Sequence, residues 1–128
     1  MNLVAVYGTL KKGFGNHYLI EGQKLLGIGE TPPDYAMLSF GSYPGAIDGD
    51  ERIQVEVYEV DNKALQRMDN LEGHPSFYRR NLTPIIMDNG DIKEAWMYSL
   101  CHRVEYNKVQ APLIPVDDKD DKGRITWK

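Results

Sequence analysis

Residues 52–60 read RIQVEVYEV. Ile53, Val55 and Val57 alternate with Gln54, Glu56 and Tyr58, so an extended chain here carries one apolar row on one face. Asp61 follows, a good N-cap, and residues 62–71 then have the composition of a short helix. Leu65, Met68 and Leu71 share one side of that helix at three-residue spacing. Gly73 stands where a C′ glycine ends many helices. Strand, cap, short helix and glycine stop therefore follow one another without a gap, and they commit the middle of the chain to mixed α and β structure.

The rest of the chain is cut shorter. Residues 3–7 form an apolar β-type run that breaks at Gly8, and residues 11–22 read as a loop with a helical turn near Tyr18 and Ile20. Residues 25–31 read as a strand interrupted by Gly27 and Gly29 and stopped by Pro32 and Pro33. Short extended pieces are expected at 35–38 and around Tyr43 and Ile47. Residues 77–87 and 92–100 are strands joined by a turn at Asp88, Asn89 and Gly90. After Lys108 the prolines at 112 and 115 and the tract DDKDDK read as an extended, mobile tail. Residues 1–107 are thus expected to form the domain and 108–128 the tail. Strands dominate and helices are few, which predicts an α+β fold: a small single domain with a curved, barrel-like mixed β-sheet. No GxGxxG follows the first strand, so a dinucleotide fold is not indicated.

Charge narrows the partners. With 15 basic and 19 acidic residues the net charge is −4, which gives no general attraction to a phosphate backbone and argues against nucleic acid. Lys11-Lys12 and Arg79-Arg80 read as small solvated pairs. No apolar run reaches the ~18 residues of a membrane helix, and MNLVAVYGTL lacks the basic start and small-residue site of a signal peptide. Cys101 is the single cysteine, which suits a reducing, cytoplasmic setting. His17, His74 and His102 have no zinc-ligand spacing. Cys101 and His102, as neighbours in a strand, would point to opposite faces, so an inert buried thiol is expected rather than a nucleophile pair. A monomer is compatible with all this, and no oligomeric state follows from it.

Two places invite chemistry. The strand-turn VAVYGTLKKG either reverses the chain or holds backbone N–H groups open to a ligand. Glu72, in NLEGHPSFYRR, lies between a core leucine and the turn into an aromatic strand. Partial burial there would raise its pKa into the range of a general acid/base. By position alone, a surface acid near a helix end is the commoner reading.

VAVYGTLKKGFGNHYLI resembles the opening of the γ-glutamylcyclotransferase-like (AIG2-like) family, particularly the γ-glutamylamine cyclotransferases. Those proteins begin with a strand into YG[ST]L, then basic residues, a glycine and an asparagine. LEGHPSFYRR is similar to their helix-end glutamate with its following proline, tyrosine and arginine. EVYEVDNKALQRMDNLEG and EAWMYSL look like the intervening strand-cap-helix and the closing aromatic strand. The likeness runs in order over roughly residues 3–100.

The resemblance implies roles. Tyr7, Gly8, Thr9 and Leu10 would line the cavity and hold the α-amino and α-carboxylate ends of a γ-glutamyl group. Glu72 would be the catalytic carboxylate and Tyr78 its neighbouring tyrosine, with Tyr43, Pro44 and Gly45 as a further wall. The implied reaction is attack of the substrate's own α-amine on its γ-carbonyl, giving 5-oxoproline and a free amine, chemistry that asks for no metal or organic cofactor. The same cavity would also suit a non-catalytic protein that sequesters a small molecule or regulates a partner. Glu72 separates the two, because binding alone needs no carboxylate beside the reacting amide.

Overall fold

The strand expected at residues 52–60 is present over Gln54–Val60, paired on both sides within the barrel. It is one of eight strands in the structure, a computed structural model that describes residues 1–100 and 114–128. In chain order these are β1 (Asn2–Val6), β2 (Lys24–Glu30), β3 (Tyr35–Ser39), β4 (Pro44–Asp48), β5 (Gln54–Val60), β6 (Tyr78–Met87), β7 (Ile92–Leu100) and β8 (Ile114–Pro115). A 3-10 turn, His17–Ile20, precedes β2, and the helix α1, Asn62–Glu72, follows β5. The barrel expected from the sequence is present and closed, in the order β1-β5-β2-β6-β7. Its seam is a short parallel pairing in which Val4 faces Trp96 and Ala5 faces Met97. A second sheet, β4-β3-β8, lies against the barrel. The described part of residues 101–113 being none, the inert-thiol expectation for Cys101 and His102 lies outside the described residues.

Two apolar clusters explain the sequence patterns. Ala5, Val55, Val57, Ile85, Ala95 and Met97 fill the barrel and continue into Met37 and Ala46 of the second sheet. Val4, Val6, Tyr58, Val60, Ala64 and Met68 form the other cluster, between the barrel wall and α1. β1 is thus covered on both faces, which is why its run is continuously apolar and does not alternate. Tyr58, which alternates with the apolar row, is nonetheless buried: it joins the second cluster, with the His17 ring 5.8 Å away.

The helix starts and stops as expected. Asp61 Oδ1 accepts from Ala64 N at 2.7 Å, satisfying one of the free N–H groups of the first turn. Gly73 adopts φ 64° and ψ 37°; its N–H donates to Asn70 O, and His74 N–H donates to Asp69 O at 3.0 Å. That pair of bonds is a Schellman closure, for which glycine at C′ is the natural residue. The buried face, however, is Ala64 and Met68, an i,i+4 pair. Leu65 is only half-buried and Leu71 is 41% exposed. The stripe lies one step round from the Leu65-Met68-Leu71 expectation because α1 rests on Val4, Tyr58 and Val60.

The C-terminal residues do not behave as a mobile tail. Leu38 of β3 faces Pro115 of β8, and Val116 N–H donates to Met37 O at 2.9 Å. Ile125 pairs with the stretch before β5: its N–H donates to Arg52 O and its carbonyl accepts from Gln54 N, both at 2.9 Å. Between them the acidic tract serves as counter-charge. Arg124, 2% exposed, pairs through Nε with Asp120 at 2.6 Å and through Nη1 with Asp88 at 2.7 Å and Glu30 at 3.5 Å. Composition suggested a solvated run; the buried guanidinium is what makes it structural.

Candidate functional site

Where β1 ends, the chain turns outward at Gly8 and the helical C-terminus of α1 comes alongside. A cavity of about 480 Å³ opens between them, floored by Ala5 and Val6. Its lining takes in Tyr7, Gly8, Thr9 and Leu10 from the opening turn, Tyr43, Pro44, Tyr78 and Tyr98 from the strands, and Glu72 from the end of α1. Every residue singled out from the sequence therefore reaches this cavity except Gly45. That glycine lies behind it, where an added Cβ would come within 2.5 Å of Leu100 Cδ1. Its role is to let β4 approach β7.

The turn is built from its own hydrogen bonds. Lys11 N–H donates to Gly8 O and Asn16 N–H to Thr9 O, both at 3.0 Å. Asn16 Nδ2 donates to Thr9 Oγ1, and His17 Nδ1 donates to Leu10 O, each at 2.9 Å. These bonds use the carbonyls of Gly8, Thr9 and Leu10. The N–H groups of the same three residues donate to no acceptor among the described residues. Three consecutive unused amides at a cavity wall suit an anion such as a carboxylate. Gly8 also packs tightly: a Cβ there would lie 2.7 Å from Pro44 Cγ and 2.9 Å from Cδ. The opening turn and β4 thus touch directly across one end of the cavity.

Glu72 is half-buried and its carboxylate accepts no hydrogen bond from a described residue. Burial raises its pKa from the usual 4.5 to about 7. Its place at the C-terminal end of α1, beside the negative end of the helix dipole, acts in the same direction. Three tyrosines surround it. Tyr78 Oη donates to Pro44 O at 2.6 Å, Tyr98 Oη donates to Asp69 Oδ1 at 2.6 Å, and Tyr7 Oη accepts from Ala46 N at 2.9 Å. Burial first, with the Glu72 charge adding to it, pushes all three hydroxyls well above the ordinary phenol range. They stay protonated at any working pH and act as donors.

A second layer fixes the end of α1. Arg80 grips Asp69 with two bonds, Nε to Oδ1 at 2.8 Å and Nη2 to Oδ2 at 3.1 Å. Its guanidinium lies 4.4 Å over the Trp96 ring, and its backbone N–H donates to His74 Nδ1 at 3.3 Å. Arg80 is therefore no solvated charge, and Lys11, 5% exposed, is none either. Tyr98, Asn16, Phe77 and Ser42 line the cavity and Asp69 supports it, though sequence reasoning passed over all five. Pairing could have found Tyr98: carrying the register out from the Asp88–Gly90 turn sets Arg80 opposite it. Among the described residues no cluster of histidines, cysteines and acids could hold a metal ion, and no helix is long and apolar enough to cross a membrane.

Comparison with known proteins agrees with this architecture. The "Putative gamma-glutamylcyclotransferase MJ1514" of Methanocaldococcus jannaschii is 46% identical over 101 residues, spanning 77% of this chain and 83% of its own. The solution structure of ytfP from Escherichia coli is 33% identical, with TM-score 0.61 over 94% of this chain and 97% of that one. An AIG2-like protein from mouse shares the fold at 23% identity, with TM-score 0.74 over 98% and 95% of the two chains. The sequence matches the family described as "Gamma-glutamyl cyclotransferase, AIG2-like" over residues 4–120, and the chain belongs to that family.

Proposed function

We propose that this protein is a cyclotransferase acting on a γ-glutamyl amide, with Glu72 as its acid/base. The observation that carries the reading is the presence in one cavity of two groups that no described residue uses. Glu72 is a carboxylate with a pKa near 7 and no described hydrogen-bond donor; the same cavity is lined by Gly8, Thr9 and Leu10, whose amides donate to no acceptor among the described residues. The amides suit the α-carboxylate of the substrate, which leaves its α-ammonium to face Glu72.

The chemistry then follows in order. Glu72 takes one proton from the α-ammonium. The freed amine attacks the γ-carbonyl carbon, forming the ring C–N bond of 5-oxoproline. The original amide C–N bond breaks, Glu72 returns its proton to the departing nitrogen, and the surplus proton of the ring nitrogen passes to that same nitrogen, so the products are 5-oxoproline with a neutral lactam and an ammonium. Nucleophile and electrophile belong to one molecule, and holding them in line is worth roughly 7–11 kcal/mol. Proton transfer through one well-placed carboxylate adds about 10²–10⁴-fold. Tyr7, kept protonated and accepting from Ala46 N, still has its hydroxyl proton to donate, while Tyr78 and Tyr98, whose protons go to Pro44 O and Asp69, complete an aromatic wall.

The test is incubation of purified protein with a panel of γ-glutamyl compounds, reading 5-oxoproline by mass spectrometry, with Glu72→Gln alongside. Formation by the wild type and not by the variant supports the reading. Formation by neither, in a protein that nonetheless binds a panel member, would make this a binding protein.

A further inference from the structure

Lys11 is the first residue past the cavity turn, and its ammonium is buried with little to hold it. Nζ donates to Trp127 O at 2.9 Å, reaches Thr126 Oγ1 at 3.4 Å, and stands 5.1 Å from the centre of the Phe14 ring. Burying an ammonium with only neutral partners is unfavourable, and burial duly holds its pKa below the usual lysine value, with the Glu56 charge opposing. A chain that needed only stability here would do as well with a methionine. The acceptors are themselves anchored. Thr126 Oγ1 donates to Gln54 Oε1 at 3.0 Å, Thr126 N–H donates to Asp118 O at 2.9 Å, and Arg124 is clamped by Asp120. On the other side, Lys11 N–H closes the turn onto Gly8 O, Lys12 N–H donates to Glu56 Oε1 at 2.9 Å, and Phe14 lines the cavity.

We propose that Lys11 is a positioning residue: its side chain ties the Gly8–Leu10 turn to residues 124–127, and this tie holds the three free amides in the arrangement a carboxylate requires. The proposal rests on reading the cavity as a γ-glutamyl site. The turn sits in a stretch with glycines at 8, 13 and 15, which has much conformational freedom to lose on binding. A tether that removes that freedom beforehand raises affinity without touching the ligand. The C-terminal segment is then part of the site's framework although none of residues 114–128 lines the cavity.

The experiment compares Lys11→Met, Lys11→Arg and Asp120→Asn by calorimetric binding of 5-oxoproline and by urea denaturation. Methionine keeps an unbranched apolar stem, one atom shorter, and removes the ammonium with its bonds to Trp127 and Thr126 and its place over the Phe14 ring. Lys11→Met is expected to weaken binding about tenfold, the scale of one charged hydrogen bond, with an unmoved or higher urea midpoint. Lys11→Arg should recover most of the affinity. Asp120→Asn loosens the tail from a distance; it should weaken binding in the wild-type background and have no further effect on top of Lys11→Met, since both cut one tether. Wild-type affinity in Lys11→Met, or affinity losses that add in the double variant, overturns the proposal. Should Lys11→Met fail to fold, undiminished binding in Asp120→Asn overturns it alone. A wild type that neither binds nor forms 5-oxoproline removes the cavity reading and this proposal together, whereas unchanged Lys11 variants of a binding wild type remove the proposal only.

Discussion

Glu72 puts activity and stability in opposition. Its folded pKa of about 7 lies above the ordinary 4.5, so between those values the folded state binds more protons than the unfolded one. Stability then falls as pH rises through that window, and the ionised carboxylate above it costs the fold roughly 2 kcal/mol once partial exposure is allowed for. Glu72→Gln should accordingly be more stable than the wild type at pH 8 and indistinguishable at pH 4, as urea midpoints at the two values would reveal. The same residue needs its charge to accept the ammonium proton. kcat/KM should therefore climb with pH and level off above about 7, and Glu72→Gln should lose at least about 10²-fold. An unchanged rate in the variant, or a profile that is flat from pH 5 to 8, would take the base role away from Glu72.

Elements meet at Gly8 and Pro44, and there the limit of sequence reasoning is plain. The sequence offers no reason why Gly8 must be glycine, and it is not among the glycines of positive φ. Space is the reason: the proline ring of β4 occupies the place of a Cβ. Gly8→Ala should push the turn off β4 and weaken 5-oxoproline binding about tenfold or more, a loss on the scale of overpacking a close contact. Thr9→Ser should keep near-full binding, because the serine hydroxyl can still accept from Asn16 Nδ2. Calorimetry on the two, with circular dichroism as the folding control, separates shape from side chain; equal binding in both would return the turn to a mere chain reversal. Features fixed by neighbours in sequence were legible: the alternation of β5, the Asp61 and Gly73 caps, the hairpin turn. What depended on docking was not. The buried stripe of α1 and the buried Tyr58 follow from the second apolar cluster, which gathers the helix, the 3-10 turn and β5. Glu72 stood out by its place before a helix-ending glycine, whereas Tyr98 and Asp69 enter the site only through the β6–β7 register and Arg80.

At the scale of the molecule, the chain end is a brace. Residues 118–126 fold back on themselves, Asp120 N–H to Arg124 O at 2.9 Å and Thr126 N–H to Asp118 O at 2.9 Å, and the whole turns on one buried guanidinium. An acidic, proline-bearing terminus reads as solvated because no local pattern announces that Asp88 and Glu30, far away in sequence, converge on Arg124. Arg124→Met keeps most of the volume and leaves those carboxylates around an apolar side chain. Removing one member of such a buried set costs about 3–5 kcal/mol, which a urea midpoint would report directly. The pH dependence fixes the cause. Hydrogen bonding from Arg124 holds Asp88 below the usual carboxylate range; burial of Asp120 works the other way, but the bonds it accepts from Arg124 and Lys122 outweigh it. Both groups thus contribute stability that is present above the ordinary aspartate pKa and is lost as pH falls through their lowered values. The wild type should lose stability between pH 5 and pH 2 more steeply than Arg124→Met, whose aspartates titrate nearer their unfolded values. A variant as stable as the wild type at pH 7, with the same acid slope, would mean that the acids around Arg124 are solvated in solution and that the chain end is the tail its composition suggests.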